Sequence, residues 1–182
     1  MVLLESTPIK LNSIMPKFEL KDPFNNTHSS QSLMGKKGLL IIFTCNHCPY
    51  AIAIWERTIT LSSFAKELGI NTVAINPNIN PQYPEDSPEN MIKFIQKNDI
   101  SFPYLIDEKQ NTAKEFNAQC TPDIYLLNNQ SQLVYHGQLD NNWKDPKQVT
   151  REDLKDAISN LSSNNPISSE QSPSMGCSIK WL

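Results

Sequence analysis

Cys45 and Cys48 stand with two residues between them in the stretch Phe-Thr-Cys-Asn-His-Cys-Pro-Tyr, residues 43–50. Thiols at that spacing can close on each other, so the pair can cycle between dithiol and disulfide. Residues 39–43, Leu-Leu-Ile-Ile-Phe, read as a buried strand. Residues 49–68 read as an amphipathic helix, and Pro49 suits its first turn. The cysteines therefore sit where a strand hands over to a helix N-terminus. Unpaired N–H groups and the positive end of the helix dipole gather there, and both favour a thiolate. Cys45 reads as the exposed nucleophile, and Cys48 as the sulfur that resolves a mixed disulfide on it. His47 lies between them and is expected to hold the Cys45 pKa below the ~8.5 of a free thiol. The alternative is a histidine on a solvated loop.

Further elements must position this pair. Residues 71–76 form a second buried strand after the stop at Gly69. Strand, helix and strand make a βαβ unit with parallel strands and a right-handed crossover. Sites in such sheets lie at the C-terminal strand ends, where the cysteines are. The Pro-rich loop 77–88 leaves the same edge and is expected to wall the site. Ser87 and Pro88 open another helix. Residues 102–106 read as a strand, 112–116 as a short helix, and 124–127 and 133–137 as a hairpin. Thr150, with Asp153 three residues on, is expected to cap the last helix, 151–161. Residues 18–20 and 27–29 read as short strands. Residues 1–161 thus form the main domain. Residues 162–182 are a polar linker and a tail whose Met175, Ile179 and Trp181 dock it back.

Two further cysteines fall near these features. Cys120 stands two residues before Pro122, as a third redox thiol or a small buried filler. Cys177 stands in the tail after Gly176, either able to swing to Cys45 or held in a merely anchored segment. His136 is expected on a strand surface.

The chain has 182 residues, four cysteines and a net charge of −3. That suits one core-forming domain and gives no basic surface for nucleic acid. No run approaches the ~20 apolar residues of a membrane span. The start lacks the basic and apolar regions of a secretory signal. A cytoplasmic protein is expected, in which a Cys-x-x-Cys pair is catalytic or metal-binding before it is structural.

The motifs resemble peroxiredoxin-like proteins of the alkyl hydroperoxide reductase/thiol-specific antioxidant type, within the thioredoxin superfamily. The resemblance is carried by residues 43–50, 83–89, 102–107, 120–123, 133–135, 174–177 and 179–181, in that order. It implies a thioredoxin-like α/β fold: a central mixed sheet flanked by helices, with an N-terminal extension and a C-terminal tail. It also implies a cis peptide before Pro122, facing the Cys-x-x-Cys turn, so that Thr44, His47, Pro49, Thr121 and Pro122 support the site. The chain departs from typical peroxiredoxins, which place Thr or Ser three residues before the peroxide-reactive cysteine and an arginine beside it. Ile42 stands at the first position, and neither Arg57 nor Arg151 falls at the second. Leu39 stands where thioredoxins keep a buried acid.

The expected activity is thiol–disulfide exchange by Cys45 and Cys48, without a cofactor. Its partners would be a disulfide-bearing protein or small thiol substrate and a thioredoxin- or glutathione-type reductant. One alternative is a thiol peroxidase, with Cys45 oxidised and Cys48 or Cys177 resolving it. Another is a redox sensor, or a metal-binding protein using both cysteines with His47 or His136.

Overall fold

Six consecutive buried residues, Gly38–Phe43, form the central strand. The computed structural model describes residues 2–182. In chain order the elements are β1 (Leu3–Glu5), β2 (Glu19–Lys21), β3 (Thr27–Ser29), α1 (Ser30–Leu33), β4 (Gly38–Phe43), α2 (Pro49–Glu67), β5 (Ile70–Asn76), α3 (Pro88–Lys97), β6 (Tyr104–Ile106), α4 (Asn111–Glu115), β7 (Cys120–Thr121), β8 (Asp123–Asn128), β9 (Leu133–His136), α5 (Asp153–Ser163) and β10 (Met175–Ser178).

The main sheet has the order β3-β2-β6-β5-β4-β8-β9. β5 runs parallel to β4 and β6, whereas β8 is antiparallel to β4 and β9 to β8. The sheet is thus mixed. Alternation along β4 sends Leu39, Ile41 and Phe43 into one core, with Phe116 and Tyr125. Leu40 and Ile42 enter the other, against Ile54 and Leu61 of α2 and Leu154 and Ile158 of α5. Each such side chain contributes roughly 1.5–3 kcal/mol by leaving water. Two-sided burial explains why the strand reads as a continuous apolar run.

α2 buries Ala51, Ile54, Trp55, Thr58, Leu61, Ser62 and Ala65, at spacings of one, three and four residues. It ends at Gly69, whose φ of +81° suits glycine. β10 pairs antiparallel with both β1 and β7, tying the tail to the start of the chain and to the Thr121 segment. Gly176 is required there. A Cβ on it would lie 2.1 Å from the Thr121 carbonyl oxygen.

One boundary differs from the sequence reading. α5 starts at Asp153, and Thr150 does not cap it. The backbone N–H groups of Thr150 and Arg151 instead donate to Asn141 Oδ1, while Thr150 Oγ1 accepts from Asn141 Nδ2. A residue pinned in that loop is unavailable to open a helix. No helix among the described residues is long and apolar enough to cross a membrane.

Candidate active site

β4 delivers the Cys-x-x-Cys turn at its C-terminal end. The Thr44 N–H donates to the Ile75 carbonyl on β5 at 2.9 Å, carrying the ladder one residue beyond the strand. Cys48 is the extended residue that precedes α2, and Pro49 occupies the first turn. The indole of Trp55 donates to the Cys45 carbonyl at 3.5 Å. From the other side comes the Thr121–Pro122 segment, whose peptide is cis. Thr121 Oγ1 lies 3.2 Å from the Cys45 sulfur, and its carbonyl oxygen 3.1 Å from the Cys48 sulfur. Thr44, Thr121, Cys45 and Cys48 are all buried.

The exposure and charge expected of Cys45 are not found. Its relative exposure is 0%, equal to that of Cys48. Burial pushes the Cys45 thiol well above its ordinary value, with its hydrogen bond to Cys48 and the negative charge of Asp86 adding to the effect. Cys48 is instead drawn down to about 5. Its hydrogen bond from Cys45 is the largest cause, followed among the lowering contributions by the Cys177 thiol and the backbone N–H groups of Ala51 and Cys177. Burial and the Thr121 carbonyl oppose the charge, but the donors outnumber them. The physical reason for the reversal is position. Cys48 is placed to receive the Cys45 and Cys177 donors, whereas Cys45 is buried beside the Asp86 carboxylate.

A stability prediction follows from these directions. Between pH 5 and 9 the unfolded chain binds the Cys48 proton that the folded chain has released, so this group makes stability rise with pH across that window. Above pH 9 the sign reverses, because the unfolded chain ionises Cys45 while the folded chain keeps it protonated. We expect urea-unfolding midpoints of the reduced protein to rise from pH 5 towards 9 and to fall beyond it. Cys48→Ser should remove the rising limb together with the thiolate ultraviolet absorbance that appears near pH 5.

Asp86 was not singled out by the sequence reading. It leaves the 77–88 loop fully buried. Its Oδ1 accepts from the Asn46 N–H at 2.6 Å and from Asn76 Nδ2 at 2.9 Å, and its Oδ2 pairs with His47 Nδ1. The His47 ring stacks on Tyr83 from the same loop at 4.3 Å. His47 is therefore not on a solvated loop. It is half of a carboxylate–imidazole pair. With Nδ1–H donated to Asp86, Nε2 is left as an acceptor, and it is buried with no partner among the described residues. One ring nitrogen of His47, one Asp86 oxygen and the Cys45 sulfur lie within 4.8 Å of one another. That is within one water of proton transfer. The acid missing at Leu39 has a counterpart here, supplied from a different part of the chain.

The same three donors could hold a borderline cation such as Zn²⁺, but only by displacing the His47–Asp86 hydrogen bond. His136 is not among them. It is buried, not on a surface; its Nε2 lies 2.8 Å from Asp123 Oδ1, and it stacks on Tyr125 at 4.2 Å. Asp123 is itself buried, which draws the imidazole inward.

The remaining cysteines separate. The Cys120 thiol donates to the Pro122 carbonyl at 3.3 Å, and burial followed by the charge of Asp123 keeps it protonated. Cys177 lies with its sulfur 2.6 Å from that of Cys48. Its signal in the sequence is Gly176. Arg57 is committed to Asp140 and to the Asn142 and Trp143 carbonyls, and Arg151 to Asp153 and Ser172.

The Redoxin family model matches residues 10–158. This chain belongs to the Redoxin family. The Redoxin is 38% identical to an uncharacterized conserved protein from Geobacillus kaustophilus over 100% of this chain and 97% of that one, with a TM-score of 0.93. It is 33% identical to a hypothetical protein from Sinorhizobium meliloti 1021 over 98% of each chain, with a TM-score of 0.92. Peroxidoxin BcpB from Mycobacterium tuberculosis shares the fold, at 13% identity and a TM-score of 0.62 over 86% of this chain and 98% of that one. No curated protein matches the sequence. The Redoxin has a thioredoxin-like fold, a mixed sheet flanked by helices, and a redox function.

Proposed function

We propose that this Redoxin is a thiol–disulfide oxidoreductase working through Cys45 and Cys48. The observation that carries the reading is the sulfur pair itself. Both sulfurs are held against Thr121 at a helix start, with the hydrogen bond from Cys45 drawing the Cys48 thiol down to about 5. Cys45 gives its proton to the His47–Asp86 pair and attacks one sulfur of a protein or small-molecule disulfide, releasing the other as a thiol. The Cys48 thiolate then attacks Cys45, releases the second thiol and closes the Cys45–Cys48 disulfide. Two electrons pass to the substrate, and no cofactor takes part. A thioredoxin- or glutathione-type dithiol or thiol restores the pair, and the reducing cytoplasm is the compartment that suits such a cycle. The commitments of Arg57 and Arg151 argue against efficient peroxide reduction.

The test is turnover with oxidised glutathione or insulin, compared with peroxide consumption under the same thiol donor. Disulfide reduction, abolished in both Cys45→Ser and Cys48→Ser, is expected. Peroxide consumption without disulfide reduction would replace this reading with the peroxidase one. Cys120→Ala should keep at least half of the disulfide-reducing rate, because its thiol is tied to the Pro122 carbonyl.

A further inference from the structure

Cys48 has two sulfur neighbours. Its hydrogen bond with Cys45 is the main support of its charge, and the Cys177 sulfur stands 2.6 Å away on its other contact. Cys177 is placed there by backbone pairing. In β10 it is the register partner of Thr121 on one side and of Leu3 on the other. Gly176, immediately before it, lets the strand approach the Thr121–Pro122 backbone more closely than any side chain would permit. The tail beyond is fixed to the body as well. The Lys180 N–H donates to Asn78 Oδ1 at 2.8 Å, and Gln110 Nε2 donates to the Lys180 carbonyl at 2.7 Å. Cys177 is therefore held at Cys48, with 2% relative exposure.

We infer that Cys48 and Cys177 form a second redox-active disulfide, reached by internal exchange from the Cys45–Cys48 disulfide. The inference rests on the oxidoreductase reading, which supplies the first disulfide. In the exchange the Cys177 sulfur attacks Cys48. The Cys48–Cys177 bond forms, the Cys45–Cys48 bond breaks, and the Cys177 proton passes to the departing Cys45 sulfur. Nothing is oxidised or reduced overall, so no further reactant is needed. Oxidation of Cys48 itself prepares the step. In the reduced protein burial first, then the Cys48 hydrogen bond and charge, hold the Cys177 proton; a Cys48 in disulfide linkage removes the last two. The consequence is a relay. Cys45 returns to the thiol form, while the oxidising equivalent moves to the buried Cys48–Cys177 pair on the tail strand.

The experiment maps disulfides. Reduced wild type, Cys45→Ser, Cys45→Ala and Cys177→Ser are exposed to oxidised glutathione, quenched in acid, alkylated and read by peptide mass spectrometry. Wild type is expected to yield both Cys45–Cys48 and Cys48–Cys177. Both Cys45 variants lack the first disulfide and should yield no Cys48–Cys177, and Cys177→Ser should yield Cys45–Cys48 alone. The inference is overturned if wild type yields Cys45–Cys48 alone. That pattern leaves the oxidoreductase reading standing. If wild type forms no intramolecular disulfide, the oxidoreductase reading fails and the relay fails with it. Two independent Cys45 substitutions guard against one variant misfolding.

Discussion

Asp86→Asn is expected to slow disulfide reduction about 100-fold at neutral pH, the lower end of what a positioned acid–base group contributes. The deficit should shrink as pH rises. Two effects oppose each other in this variant. Removing the carboxylate charge makes the Cys45 thiol easier to ionise, because Asp86 is one of the groups that hold it up. It also removes the carboxylate that orients the His47 ring through Nδ1. The second effect dominates at neutral pH. Burial is the largest cause of the raised Cys45 pKa, ahead of Cys48 and then Asp86, so the thiol stays protonated after the charge is gone and still needs an acceptor. At high pH solvent can take the proton, and the variant recovers. The pH at which Cys45 is alkylated should fall in Asp86→Asn, a readout that a purely structural role would not move. Asp86→Glu is expected to restore part of the rate. An Asp86→Asn variant with a uniform deficit at every pH, and an unmoved alkylation profile, would remove Asp86 from the proton path. Stability should also drop by about 1–3 kcal/mol, because the Asn46 N–H and Asn76 amide lie buried against that carboxylate.

The Cys-x-x-Cys turn, the strand before it and the helix after it were legible because local pattern determines them. An unbroken apolar run, a proline at a first turn and a glycine with φ of +81° each carry their own physical cause. Asp86 was not legible. In the sequence it stands just before Ser87-Pro88, where an acidic residue reads as part of a helix start. Its burial depends on the path of the loop from Pro77, and no local spacing encodes that path. The reversal between the two cysteines was hidden for a similar reason. The helix-start argument applies to both, and what separates them is the Asp86 charge near Cys45 and the Cys177 donors at Cys48. The sequence left Cys177 either able to swing to Cys45 or held in an anchored tail. Its position at Cys48 is set by a register between β10 and β7 that joins residues more than fifty positions apart. His136 was misread as a surface residue because its partner, Asp123, is a carboxylate buried on the neighbouring strand.

Gly176→Ala is expected to release the tail. The added Cβ would meet the Thr121 oxygen at 2.1 Å, the Thr121 carbonyl carbon at 2.5 Å and the Pro122 nitrogen at 2.9 Å. All three are backbone atoms, so no side chain can turn aside. The strand itself must move, and overpacking of this kind costs about 1–3 kcal/mol. At this chain length each kcal/mol lowers Tm by roughly 2–4 °C. The effect on the sulfurs is more specific. Cys48 has two donors from Cys177, its thiol and its N–H, and both leave with the strand. The Cys48 pKa should rise from about 5, so the ultraviolet thiolate step moves to higher pH. It should remain below an ordinary thiol, because Cys45 supplies the largest lowering contribution and the Ala51 N–H stays. Cys177 should become alkylated faster, and the Cys48–Cys177 disulfide should fall below Cys45–Cys48 in oxidised samples. A Gly176→Ala protein with wild-type Tm and an unmoved Cys48 titration would show that the strand tolerates a Cβ, and that Gly176 does not set the sulfur contact. Cys177→Ala separates the two consequences. It keeps the strand and its N–H in place, removes the side-chain donor, and should raise the Cys48 pKa by less than Gly176→Ala does.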